Sequence, residues 1–498
     1  MTNFIDFEIA PIEETTEAIL DLFDKIIFND EAKESYIIDI ENNLSTFLNV
    51  EMRDDLYCLI EYPYVDKLYR DSFYNYFSSK HYSYKRDTIR VSIYNGEIQP
   101  KDFLNNKHDN LQKRYLGNFI IRPLKSSIFG RAHINPSVLN KDCLICSFDS
   151  TSMILGSKLS AKGFPHCSQD SETITCAETT IWSLMEYFGN RYAEYKPTLP
   201  SRIISTLKSL SFQRQLPSNG LTINQISYAL KEFGFGTRIY ARKVYPNDFE
   251  NIIYHYIESG IPIVLGLDTE NLGHATIAIG RNVKRKEIDS NTPREKITID
   301  GKEMSYVDFA STIDKLIIQD DNLSPYAELS IDNVGESYEE GSEEKDYVVE
   351  FLIVPLYPKI YLEAKVAKEL ILQFISDQSL GFKFTDEFVL RLFLASSRSF
   401  KSHISKLDSM PEDLKLEILT TRMPKFIWCA ETYPVNTDIN NGICAESLLV
   451  LDATEANHGT IDSLIFAGYK DRCILLNDNK FVTLAQKLIG YRHYTNLI

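Results

Sequence analysis

The reading of this chain turns on Thr175-Cys176-Ala177-Glu178-Thr179-Thr180-Ile181-Trp182-Ser183-Leu184-Met185-Glu186-Tyr187-Phe188-Gly189. Its apolar residues Ile181, Leu184, Met185 and Phe188 recur at spacings of three and four, the period of one buried helical face. Thr175 marks the expected start and Gly189 the expected stop, which puts Cys176 in the first turn. Unpaired backbone N–H groups and the helix dipole there favour a thiolate over a thiol, the usual route by which a cysteine becomes a nucleophile. The small neighbours Ala177 and Thr179 leave room for a carbonyl and its oxyanion to approach.

A nucleophile of this kind needs partners, and the chain offers them in order. An oxyanion needs a second donor besides a backbone N–H, and the amide of Gln169, shortly before Cys176, can turn back to supply it; Asp170 is a weaker rival for a nearby role. Downstream, residues 260–267 read as a buried strand and residues 273–280 as a second, opened by His274 beside Gly273. An imidazole at a strand start can meet a helix-end thiol from the neighbouring wall and take its proton. Residues 315–322 then read as a strand ending in carboxylates that could fix the imidazole ring. Strand phase selects Asp320, with Asp321 close behind and Asn322 still open.

With these residues in place, residues 156–330 resemble the papain-like cysteine peptidases, and among them the compact peptidases that trim double-glycine leaders from bacteriocins. The matching positions are Gln169, Cys176-Ala177-Glu178-Thr179, Tyr187-Phe188-Gly189, Gly220-Leu221-Thr222, Gly260-Ile261-Pro262, Gly273-His274 and Asp320. The resemblance implies an α+β fold in which the Cys176 helix packs on an antiparallel sheet carrying His274 and Asp320. It also implies amide hydrolysis through a thioester acyl-enzyme, without cofactor or metal. A charged insertion near Arg281 to Ser305 separates His from Asp and is expected to act as a lid or specificity element, as is the loop from Tyr195 to Arg214.

The rest of the chain sets the frame. At 498 residues it exceeds a single core, so several domains are expected. They are an N-terminal α+β accessory domain over 1–155, the peptidase-like domain over 156–330, an acidic linker or loop over 331–346, and a C-terminal α+β domain over 347–498. The first begins with a helix through Ile19, Leu20, Phe23, Ile26 and Ile27. A net charge of −17 argues against nucleic acid as partner. The acidic N-terminus lacks the pattern of an export signal. The most apolar stretch, Tyr347 to Leu362, is broken by Glu350, Pro355, Pro358 and Lys359, so no membrane span is expected. Sparse cysteines fit a reducing, cytoplasmic setting, with a protein or peptide as substrate and the oligomeric state open.

Other candidate clusters have plainer readings. Cys143 and Cys146 have the spacing of a zinc knuckle, yet no second pair exists, and they read as strand cysteines. His166-Cys167 leads into the Gln169 loop without clear remote ligands. Cys444, Asp452 and His458 lack a patterned helix after the cysteine and read as surface or loop residues. Two further functions stay open beside hydrolysis: acyl transfer to an amine on the same triad, and a non-catalytic binding or scaffold role for a degenerate peptidase fold.

Overall fold

The computed structural model describes residues 5–27, 41, 44–81, 84–104, 108–124, 128–170, 172–210, 216–218, 220–269, 273–299, 301–338, 342–377, 387–435, 443–455, 463–477 and 480–498. The chain is mixed α+β, built on three sheets whose strands run antiparallel except where Tyr306–Asp308 meets Phe388–Leu390. The first sheet orders Asp6–Pro11, Leu56–Tyr64, Thr88–Asn95, Tyr115–Ile121, Phe129–Ile134, Ser157–His166 and Phe148–Ile154. Ile12–Ile27 forms the expected first helix. Among the described residues no helix is long and apolar enough to cross a membrane.

The second sheet positions the site. Its order is Ala327–Leu329, Leu316–Gln319, Gly273–Asn282, Ile263–Asp268, Val348–Leu356 and Gly236–Ala241, with Cys143–Ile145 pairing the far end of Gly273–Asn282. Residues such as Val264, Leu265, Ile277, Ile279, Leu316 and Ile318 are wholly or almost wholly buried, as near-continuous apolar strands require when both faces are covered. Helix Cys176–Arg191 covers one face, and the Thr180 hydroxyl donates to the Ala275 carbonyl at 3.2 Å, tying the helix to the His274 strand.

That helix does not stop at Gly189. It runs on to Arg191, and the glycine serves a different purpose: a Cβ there would lie 2.3 Å from the Pro197 nitrogen of the returning chain. Close approach, not termination, requires the missing side chain.

The sheets also cross the expected domain limits. Ser157–His166 belongs to the first sheet and Cys143–Ile145 to the second, on the wrong sides of a boundary at 155. Val348–Leu356 lies inside the second sheet, between Ile263–Asp268 and Gly236–Ala241, so that sheet reaches past 330. The intervening acidic segment is not a free linker, since Val334, Tyr338 and Tyr347 are buried.

The insertion after Arg281 is likewise no lid. Its strands Glu295–Ile299 and Lys302–Asp308 begin the third sheet, which continues through Phe388–Ser396, Phe426–Pro434, Ser447–Asp452, Leu464–Tyr469, Cys473–Asn477 and Lys480–Leu484. Ile297, Ile299, Met304 and Tyr306 alternate inward and are buried, and Lys368 on helix Ala364–Ser376 binds Glu295 and Asp308 at 2.6 and 2.7 Å. Periodicity identifies such segments as strands but carries no record of which sheet a strand joins.

Candidate functional site

The loop before Cys176 is built around one carboxylate. Asp170 accepts the backbone N–H groups of Glu172, Thr173 and Ile174 at 3.0, 2.6 and 2.9 Å, and the Thr173 hydroxyl as well. This turn sets the chain for helix entry, which makes Asp170 an organiser of the loop. The buried Arg122 of the first sheet donates to the carbonyls of Ser168 and Gln169 at 3.1 and 3.0 Å, so the N-terminal sheet braces the same loop.

Glu178 closes the helix start. Its carboxylate accepts the Thr175 backbone N–H at 3.2 Å and the Thr175 hydroxyl, and its other oxygen accepts the Ser218 hydroxyl at 2.7 Å. That is the reciprocal half of a capping box, extended to the segment leading to Gly220. Cys176 sits half-buried at the head of this helix and lines one cleft with His274, whose pKa its side chain helps to raise.

His274 stands at the beginning of its strand beside the end of Leu316–Gln319, because the register pairs Ile277 with Gln319. The Thr276 hydroxyl donates to the Gln319 carbonyl at 2.9 Å and holds the two strand ends together. His274 Nε2 then lies 2.8 Å from Asp320 Oδ2, whereas Asp321 Oδ1 is 3.7 Å away. Asp320 also accepts the Asn322 backbone N–H at 2.9 Å, and the Asn322 side-chain oxygen accepts the Gln169 amide at 2.5 Å. Cys176, His274 and Asp320 thus gather at one place, and Gln169 is tied to the neighbouring Asn322. Asn322 serves as the bridge to Gln169 while Asp320 meets the ring.

The electrostatics follow from that geometry. Burial works to lower the His274 pKa, but the charge and hydrogen bond of Asp320, with the hydrogen bond from Cys176, hold it well above the ordinary value. Burial works to raise Asp320, yet His274, the Asn322 N–H and the Tyr338 hydroxyl keep it ionised, below its usual range. Asp321 goes the other way: burial raises it, Asp320 adds repulsion, and neither of its oxygens has a hydrogen-bond partner among the described residues. At neutral pH the ring is therefore held protonated beside an ionised Asp320.

Two site residues carry no signal in the sequence. The Tyr338 hydroxyl donates to Asp320 Oδ2 at 2.9 Å, and the Tyr347 ring stacks on His274 with centroids 5.7 Å apart and planes 17° from parallel. Tyr338 and Tyr347 also meet edge to face, so the acidic segment wraps the His–Asp pair in aromatic rings. Tyr338→Phe is expected to cost about 1.5–3 kcal/mol of stability, the range for a hydrogen bond to a charged group, measured by denaturant unfolding. An unchanged unfolding midpoint would show that the hydroxyl contributes nothing to holding Asp320.

A cleft of about 370 Å³ opens from Cys176 and His274 and is lined by Gly220 to Ile223, Ile226, Val264, Gly266 to Asp268, Gly273, Ala275 and Phe351. The described residues of the expected specificity segments do not line it. Tyr195 is buried and stacks on Phe235 at 4.3 Å, residues 211–215 fall outside the described residues, and the insertion is in the third sheet.

The remaining candidates are structural or undescribed. His166 and Cys167 are both buried; burial pushes the former down to about 4 and the latter up to about 12. Cys143 and Cys146 are free thiols raised by burial to about 11 and about 12. Cys444 is exposed in an isolated bridge to Arg492, Asp452 binds Thr454, and His458 lies outside the described residues. Ligand atoms of His274, Asp320 and Asp321 lie within 4.8 Å of one another, as a metal would need, but the nitrogen involved already binds Asp320. No protein-family model matches the chain, and no curated protein matches it.

Proposed function

We propose that this chain is a papain-like cysteine hydrolase that cleaves an amide bond in a peptide or protein. The carrying observation is the meeting of a helix-head thiol with a buried imidazole that is itself held by a carboxylate, three residues drawn from distant stretches of chain. In this reading His274 holds the proton taken from the Cys176 thiol while the sulfur attacks the carbonyl, then passes it to the departing amine. A thioester remains on Cys176, and water activated at His274 hydrolyses it. Asp320 keeps the ring in the orientation that faces the sulfur. The helix N-terminus and the Gln169 amide, aligned by Asn322, stabilise the oxyanion. Each step uses groups of this chain and needs no cofactor.

The test is covalent labelling. A thiol-directed acyl probe is expected to modify the native protein at Cys176, and Cys176→Ala is expected to remove the modification entirely, as read by intact mass and peptide mapping. Equal labelling of the alanine variant would remove the proposal, because another of the chain's thiols would then be the reactive one.

A further inference from the structure

The cleft beside Cys176 is chemically one-sided. Leu221, Ile223 and Phe351 are only half-buried although apolar, and together with Ile226, Val264 and Leu267 they give the trough an apolar lining. Apolar surface left partly wet in a concave site gains by covering a ligand's apolar group. Glycine keeps the floor open: a Cβ on Gly266 would come within 3.3 Å of both Ile223 and Phe351, so any side chain there would press on the two walls. At about 370 Å³ the space is near the small end of ligand clefts, which run to roughly 300–1,000 Å³, and suits a few residues of extended chain.

The His274 imidazolium of this lining is already paired with the buried Asp320, which leaves one exposed charge in it. Among the described residues along the cleft, the titratable side chains are Cys176, His274 and Asp268, the last an exposed carboxylate at the end of strand Ile263–Asp268. It sits beside Gly273, whose Cβ would lie 3.9 Å from Asp268 Oδ1, so nothing bulky separates it from the start of the His274 strand. Among the described residues no lysine or arginine lines the cleft to neutralise it. The whole chain adds to the same field, with a net charge of −17 that draws cations toward the surface and repels anions.

Building on the hydrolase reading, we infer that the substrate is a basic peptide: an apolar side chain seated in the trough next to a cationic group over Asp268. The apolar lining supplies most of the binding and Asp268 the discrimination, since an exposed ion pair contributes little affinity but is lost, and turned to repulsion, when the ligand charge is reversed.

The experiment compares three peptidyl probes that share one thiol-reactive group and one leucine and differ only in the adjacent residue, arginine, glutamine or glutamate. Rates of Cys176 modification are measured by intact mass for the full-length protein, for Asp268→Asn and for Asp268→Lys, at low and high salt. The expected order is arginine over glutamine over glutamate, spanning about five- to tenfold at low salt and compressing at high salt. Asp268→Asn should shrink the span and Asp268→Lys should reverse it. A wild-type protein indifferent to probe charge, or an Asp268→Lys variant that keeps the arginine preference, overturns the inference while leaving the hydrolase reading in place. A native protein that none of the probes modifies overturns both.

Discussion

His274→Ala is expected to slow hydrolysis of an activated acyl ester by about 10²- to 10⁴-fold, the range that a positioned general acid–base supplies. The loss is large because one ring serves two steps, receiving the thiol proton and giving it to the leaving group. No other described histidine lines the cleft: His166 is buried and kept neutral by burial, and His255 is committed to Asp308 at 3.1 Å. The pH dependence carries a sign. The imidazolium is held above its ordinary value by Asp320 against the effect of burial, so activity that needs it persists through neutrality and falls as pH rises through that raised value. Asp320→Asn removes the largest raising influence and should move this alkaline fall to lower pH. The same shift makes a stability contribution that is complete below the unfolded histidine value, about 6.5, and is lost as pH rises through the folded one. An alanine variant hydrolysing within about threefold of wild type would strip His274 of its role.

How much of this site could be read from sequence divides along a physical line. Cys176 at a helix head was legible because Thr175 and the Ile181 to Phe188 periodicity are local signals, decided within a few turns. His274 and Asp320 were legible as the beginning and the end of apolar strands, though the choice of Asp320 over Asp321 needed the strand phase that only pairing supplies. Tyr338 and Tyr347 were not legible. They lie in and just after an acidic stretch without periodicity, and their contacts with Asp320 and His274 exist only because Val348–Leu356 returns to the second sheet. The third sheet crosses the expected domain limits for the same reason, since Lys302–Asp308 pairs with Phe388–Ser396 across a long sequence gap. Gly189 shows the converse error, a local signal with two meanings: a glycine can end a helix or let another segment touch it.

Arg391→Leu is expected to destabilise the protein by about 3–5 kcal/mol, the cost of breaking a buried ion pair from one side. Arg391 is fully buried on strand Phe388–Ser396 of the third sheet and donates to Glu258 at 2.8 and 2.7 Å and to Glu431 at 2.8 Å. Glu258 ends helix Phe249–Glu258 and also accepts Arg281 of the His274 strand at 2.5 Å, so one guanidinium joins the sheet that carries the site to the sheet beside it. Burial alone would raise the Glu258 carboxyl, but the two guanidinium groups hold it down at about 2. Its contribution is therefore present above the unfolded value, about 4.3, and lost as pH falls through about 2. With leucine in place of Arg391 the freed carboxylates can escape burial as ions only by taking up protons. The penalty should be largest near neutral pH and shrink in mild acid, as denaturant unfolding at the two conditions would show. A penalty below about 1 kcal/mol, or one independent of pH, would mean that water reaches the cluster and screens it. The contrast is Lys425→Ala: its pair with Glu194 is as short, at 2.5 Å, but both side chains are 53% exposed, and its loss should cost no more than about 1 kcal/mol. Burial, not the number of ion pairs, decides which charges hold the sheets together.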